Sequence, residues 1–225
     1  MLLLVIDTSG KDGFVALARA LESGGLEVLE EVPLAGGTFS AQLIPQISGV
    51  LAKHGVRKTD LGAYVVVSGP GSFTGLRVGM AAIKALGEIL RQPIVSVSLL
   101  EVIAVESGVA SARAVSDAGR GEVYVGDYQI SDGVAQLVRE QLLPKGSFHS
   151  VTPGFVIVTA DPALADISLQ KGVRVKLVDT PRANAIGRLG WSKLRRGEAV
   201  APEQLDANYI RRLDAEILAN PSPDS

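Results

Sequence analysis

Cysteine is absent from the 225 residues, which excludes a disulfide framework, a thiolate zinc site and a cysteine nucleophile together. Histidine is nearly absent: His54 and His149 stand far apart, and neither belongs to an H-x-x-x-H or H-E-x-x-H pair, so no histidine metal cage is expected. Excess charge of one sign is missing as well. The 22 basic and 24 acidic residues leave a net charge of -2, with no overall positive field to neutralise phosphates. A chain of this charge that serves RNA is expected to do so beside a more basic partner. Long apolar runs are also lacking. Leu2-Leu3-Leu4-Val5-Ile6 is too short for a signal-peptide core, has no basic flank and runs straight into Asp7, so it reads as a buried strand. No other run approaches the roughly 18 apolar residues of a spanning helix. The expectation is a soluble, cytoplasmic protein without membrane contact.

What is present is a core-forming composition, 47% hydrophobic, enough for one large core or two smaller ones. Leu2 to Ile6, Phe14 to Ala20 and Leu26 to Val32 read as a meander of short strands separated by Gly/Ser/Asp-rich breaks. Ser40 can cap a helix whose apolar stripe is Leu43, Ile47, Val50 and Leu51, with Gly55 where a helix-ending glycine belongs. Ala63 to Val67 is a continuous apolar strand, Gly69 to Gly75 a glycine-rich turn, Thr74 to Leu90 a second helix, and Ile94 to Val97 a strand after Pro93. This order is that of the ribonuclease-H-like unit of actin, Hsp70 and sugar kinases, a fold class that usually carries two such units. A shorter echo follows, with strands at Ala112 to Val115, Glu122 to Gln129, Gln136 to Leu142 and Phe155 to Thr159, a helix near Pro162 to Gln170 and a strand at Val173 to Val178. Pro181 opens a last helix through Leu194. The expected organisation is an α/β, two-lobed actin-like fold: residues 1–100 as the first lobe, 101–205 as a smaller second lobe, and 206–225 as a C-terminal segment whose end, Asn220 to Ser225, frays.

The segment Ser68-Gly69-Pro70-Gly71-Ser72-Phe73-Thr74-Gly75 lies between a buried strand and a helix start, where backbone N–H groups and a helix dipole converge as they do on phosphates. Its spacing fits neither G-x-G-x-x-G nor the Gly-Lys-Ser/Thr ending of a P-loop, so a purely structural tight turn stays open beside the phosphate reading. Asp7-Thr8-Ser9-Gly10 follows the first strand, where a carboxylate can orient metal-bound water or simply shape a polar turn. The same tetrapeptide is like an aspartic-protease loop, but Asp117-Ala118-Gly119 and Asp179-Thr180-Pro181 supply no convincing second copy for a shared proton. Pro70-Gly71-Ser72-Phe73-Thr74 misses the G-x-S-x-G of a serine hydrolase. Arg195-Arg196 and Arg211-Arg212 read as solvated surface.

Gly69-Pro70-Gly71-Ser72-Phe73-Thr74-Gly75-Leu76-Arg77-Val78-Gly79-Met80-Ala81 resembles the hallmark of the TsaB (YeaZ) family. Weaker matches fall in the same order: Leu4 to Ser9, Ser40 to Ile47, Asp117 to Tyr124, and Asn208-Tyr209-Ile210-Arg211 as a closing motif. Phe39, where histidine is frequent, and Gly119, where arginine is common, depart from the pattern. The resemblance implies a non-catalytic scaffold that binds the catalytic paralogue TsaD and the ATPase TsaE. Together they attach a threonylcarbamoyl group to the adenosine beside the anticodon of tRNAs reading ANN codons. It implies no cofactor required by this chain, tRNA reached only through the complex, and a homodimer when alone. No more than weak ATP or ADP contact is expected, through Asp7, Thr8, Gly69, Gly71 and Ser72. An independent kinase or ATPase of the actin-like class, or a peptidase, are the competing readings.

The second helix raises a separate expectation. Arg77, Lys84, Glu88 and Arg91 project within about 60° of one another, while its apolar residues cover about 200°, twice the stripe of a helix resting on one core. Either the rest of the chain covers the excess, or Leu76, Met80, Ile83 and Leu90, with Leu43 and Ile47 of the first helix, form a helix-on-helix interface for a homodimer or TsaD. The interface is the favoured reading.

Overall fold

The computed structural model describes residues 1–210; Arg211, Arg212 and the tail expected to fray lie outside the described residues. The first sheet contains β1 (Leu2–Asp7), β2 (Gly13–Ala20), β3 (Leu26–Leu34), β4 (Leu61–Gly69) and β5 (Ile94–Ser98) in the order β3-β2-β1-β4-β5. β1, β2 and β3 pair antiparallel, whereas β4 and β5 join β1 in parallel. The parallel strands need crossovers, supplied by α1 (Phe39–Lys53) between β3 and β4 and by α2 (Phe73–Leu90) between β4 and β5. Val65, Val66 and Val67 are fully buried because helices cover both faces of β4, which explains its unbroken apolar run.

The second sheet repeats the scheme. β6 (Ser111–Gly119), β7 (Glu122–Ser131), β8 (Val134–Pro144), β9 (Val156–Thr159) and β10 (Val175–Leu177) stand in the order β10-β9-β6-β7-β8. Again the first three strands pair antiparallel and the last two join in parallel. The β9-to-β10 crossover is α4 (Pro162–Gln170), capped by Asp161. The chain therefore contains the ribonuclease-H-like strand order twice.

Three features depart from the sequence expectation: the N-cap of α1 is Thr38, with Ser40 already inside the helix, and two further differences concern helices. α3 (Leu99–Glu106), between β5 and β6, was not anticipated; Leu100, Glu101, Val102, Ile103 and Ala104 are all buried, so the segment has no polar face to mark a helix. α5 (Ala183–Arg195), assigned to the second lobe from its position, instead lies on the first sheet. Ala183, Ile186 and Leu189 share a core with Val5, Ala16, Val65, Val67, Val95 and Val97. A Cβ on Gly190 would overlap the Val65 side chain, which accounts for glycine at this close approach. The first lobe is consequently discontinuous, made of residues 1–98 and a returning C-terminal part.

Candidate functional site

The cleft between the lobes is built where β1 and β4 both end. Asp7 closes β1 with Oδ1 accepting from the Ser9 backbone N–H at 2.8 Å and from Ser9 Oγ at 2.6 Å. Burial pushes the Asp7 carboxyl above its usual range, and the bonds from Ser9 pull part of that shift back. Thr8 is buried and donates from Oγ1 to the carbonyl of Gly75 at 2.8 Å. The Ser72 N–H reaches the Ser9 carbonyl at 2.7 Å, and Ser72 caps α2, its Oγ accepting from the Gly75 N–H at 3.3 Å.

The glycines of this loop make contacts that a side chain would forbid. A Cβ on Gly71 would overlap the Ser9 carbonyl, one on Gly75 the Thr8 carbonyl, and one on Gly79 the Thr8 hydroxyl. Gly69 has φ +134, and a Cβ there would come within 2.8 Å of the Asn208 carbonyl. The turn after β1 is thus packed into the glycine loop, and the N-terminus of α2 rests on Thr8. Gly71, Ser72 and Gly75 meet Thr8 and Ser9 as one assembly, to which Asp7 is tied through Ser9, while Gly69 lies against Asn208 instead.

The cleft that this assembly lines, with Ser9 and the loop from Pro70 to Gly75 on its wall, has a volume of about 960 Å³. Lys11 and Asp12 line it from the first lobe, Asp117, Arg120 and Tyr124 from the second, and Tyr209 from the C-terminal segment. Asp117 pairs with Lys145 at 2.7 Å, and that contact holds its carboxyl below the usual range. At the rim, the Arg77 guanidinium lies 3.7 Å from the Phe73 ring centre, and its Nε donates to the Tyr209 hydroxyl at 3.2 Å. Phe39, one of the departures from the family pattern, is buried in the first core, its ring meeting the space beside Gly13 and Gly75. Gly119 ends β6 with φ +71, just before the turn into β7.

The histidines fall in separate places. His54 Nε2 is 2.7 Å from Glu30, and His149 lies edge-on to Phe148 of the second lobe. Among the described residues no group of three or more His, Cys, Asp or Glu side chains stands together as a metal ligand set. None of the helices described is long and apolar enough to cross a membrane.

The expected helix interface needs correction. Leu43, Ile47, Leu76, Met80 and Ile83 are buried in the chain's own first core, and Leu90 packs half-buried against it. Val200, Leu205 and Ala207 return to the same core and cover part of the excess apolar arc. What α1 and α2 leave outside are Ala41, Ile44, Ala81, Ala85 and Ile89; Ile89 is 77% exposed and Ile44 49%.

Two groups escaped the sequence reading. Arg113, 1% exposed, holds Asp127 with two nitrogens at 2.6 and 2.7 Å, and Arg139 meets the same carboxylate at 2.8 Å. Burial alone would raise the Asp127 carboxyl, but the two guanidinium groups outweigh it and hold the carboxyl low. Their signal was an Arg and an Asp within otherwise apolar strands. Glu140 is the other. It accepts from Tyr128 and Asn208, and from Ser98 Oγ at 2.9 Å.

Two ribonuclease-H-like sheets in matching order, with a glycine loop and a strand-end aspartate at their cleft, define a two-lobed protein of the actin-like fold. The model of the family described as "TsaD: tRNA N6-adenosine threonylcarbamoyltransferase" matches residues 33–150. The chain is 34% identical to the tRNA threonylcarbamoyladenosine biosynthesis protein TsaB of Bacillus subtilis, covering 96% of each chain. It is 32% identical to the Escherichia coli TsaB, over 94% of this chain and 95% of that one. The crystallised YeaZ of Pseudomonas aeruginosa superposes with a TM-score of 0.73 at 27% identity, over 92% of this chain and 99% of its own. This chain belongs to the TsaB family.

Proposed function

We propose that this chain is a non-catalytic subunit in tRNA threonylcarbamoyladenosine biosynthesis, binding the catalytic paralogue TsaD and, with it, the ATPase TsaE. Family membership supports the process. The observation that carries the non-catalytic role is the packing of Thr8 and Ser9 into the glycine loop. A phosphate cradle needs several backbone N–H groups open to one point. Here the N–H groups of Ser72, Gly75 and Leu76 are taken by the Ser9 carbonyl, Ser72 Oγ and the Ser72 carbonyl, so of the loop only Gly71, Phe73 and Thr74 are left to offer theirs to the cleft. Asp7 is likewise engaged by its own turn, so nucleotide contact by the lone chain is weak and no cofactor is required. The exposed side of α1 and α2, around Ile44, Ala81, Ala85 and Ile89, is the surface offered to a partner, either TsaD or a second copy.

Reconstitution tests this directly. Purified TsaD and TsaE, an activated threonylcarbamoyl donor and an ANN-decoding tRNA are combined with and without this chain. Repeated turnover is expected only with it, and the chain alone is expected to modify no tRNA. Modification at full rate without it, or steady ATP hydrolysis by the isolated chain, would reject the reading, the latter in favour of an independent ATPase.

A further inference from the structure

Residues 205–210 link one lobe to the other across the glycine loop. Leu205 is buried in the first core, and Ile210 packs against the second. Between them, the Asn208 N–H donates to the Ser68 carbonyl at 2.7 Å, at the end of β4. Its own carbonyl lies against Gly69, whose lack of a side chain admits it. The Asn208 side-chain amide donates to Glu140 Oε2 on β8 of the second sheet. Glu140 Oε1 accepts from Tyr128 on β7 and, at 2.9 Å, from Ser98 at the end of β5 of the first sheet. Next to Asn208, the Tyr209 ring rests on Phe73 with centres 4.9 Å apart, and its hydroxyl takes the Arg77 bond.

One carboxylate thus gathers donors from both sheets and from the C-terminal segment, and those three donors are neutral groups. Hydrogen bonds to a charged acceptor are roughly twice as strong as neutral ones, and each constrains direction as well as distance. Losing the Asn208 donor would leave Glu140 Oε2 without its partner and release the segment's side-chain hold on the second lobe. Rigid lobes that meet at a cleft move relative to one another unless such contacts fix them.

We infer that Asn208 and Glu140 form an interlobe latch, which, with Tyr209 seated on α2, fixes the opening of the cleft. This device is independent of the proposed biosynthetic role, because it concerns the geometry of the isolated chain.

The absence of cysteine makes a clean test available. Lys11→Cys and Arg120→Cys place one spin label in each lobe on the cleft lining, and pulsed electron spin resonance reads the distance between them. With the latch intact, one narrow distribution is expected. Asn208→Ala should broaden it and shift it to longer distances. Asn208→Asp, which keeps the shape but sets a carboxylate against Glu140, should open it further at pH 7. Circular dichroism with a thermal midpoint checks the folding of each variant. If one variant fails to fold, the other still decides. Distributions that superimpose on the parent's in a folded variant would overturn the latch and leave the biosynthetic role untouched.

Discussion

Ionisation of Asp7 is disfavoured by the fold. Its pKa is raised because burial outweighs the two bonds from Ser9. For an acid with a raised folded pKa, the penalty is absent below the unfolded value. It grows as pH climbs between the unfolded and folded values, and it is constant above both. Asp7→Asn keeps an oxygen for Ser9 and removes the charge, so its stability relative to the parent should rise as pH goes from about 4 to 7. Denaturant midpoints for both proteins at several pH values measure this. A variant that loses ground as pH rises would mean instead that a partner holds Asp7 ionised. At this scale much of the site was legible: Asp7, Thr8 and the glycines were singled out from local spacing. Their mutual contact was not, because Thr8 and Gly75 are 67 positions apart and no periodicity encodes which turn fills which loop. The same limit hid Glu140 and Asn208, separated by 68 positions.

The apolar arc expected of α2 is buried only in part: Ile89 belongs to it and is 77% exposed. The apolar arc of α2 is real, and Leu76, Met80 and Ile83 lie within it at no more than 5% exposure. An amphipathic pattern reports a direction toward apolar cover and does not distinguish the chain's own Leu205 from another molecule. Chain order alone places α5 with the second lobe, whereas its apolar residues pack on the first sheet; α3 carries only Glu101 and Glu106 among apolar residues, too few to mark a polar stripe, and both are held in ion pairs with α5. The distinction can be measured on α2. Ile83→Glu buries an unpaired charge and should cost about 3–5 kcal/mol or prevent folding. Ile89→Glu lies on the exposed side, should change stability by no more than about 0.5 kcal/mol, and should weaken self-association or TsaD binding at least tenfold, about 1.4 kcal/mol. Light scattering with and without TsaD reads both assemblies. A folded Ile89→Glu protein that assembles at parental affinity would remove the outer face of α1 and α2 from the proposed contact.

Across the whole molecule, the first lobe depends on chain that arrives last. Its sheet needs cover on both faces; α1 and α2 supply one, and α5 supplies much of the other. Leu205 completes the α1–α2 side, and Val200 pairs with Ile94 at the edge of β5. A fully buried side chain of the size of Ile or Leu contributes about 1.5–3 kcal/mol. Removing Ile186, Leu189 and Leu205 therefore forfeits roughly 5–9 kcal/mol, against a typical total stability of about 5–15 kcal/mol. The uncovered face would expose Val5, Ala16, Val65, Val67, Val95 and Val97 as one apolar surface, a patch that promotes aggregation. Residues 1–100 alone, although they contain a complete ribonuclease-H-like strand order, should thus be aggregated or loosely packed. A fusion of the same residues to 181–207 through a long Gly/Ser linker should regain cooperative unfolding. Near-ultraviolet circular dichroism, dye binding and denaturant titration of the fragment and the fusion separate these outcomes. A monomeric 1–100 fragment with a sharp, cooperative transition would mean that the sheet closes its own core, and that α5 adds stability without being required for the lobe.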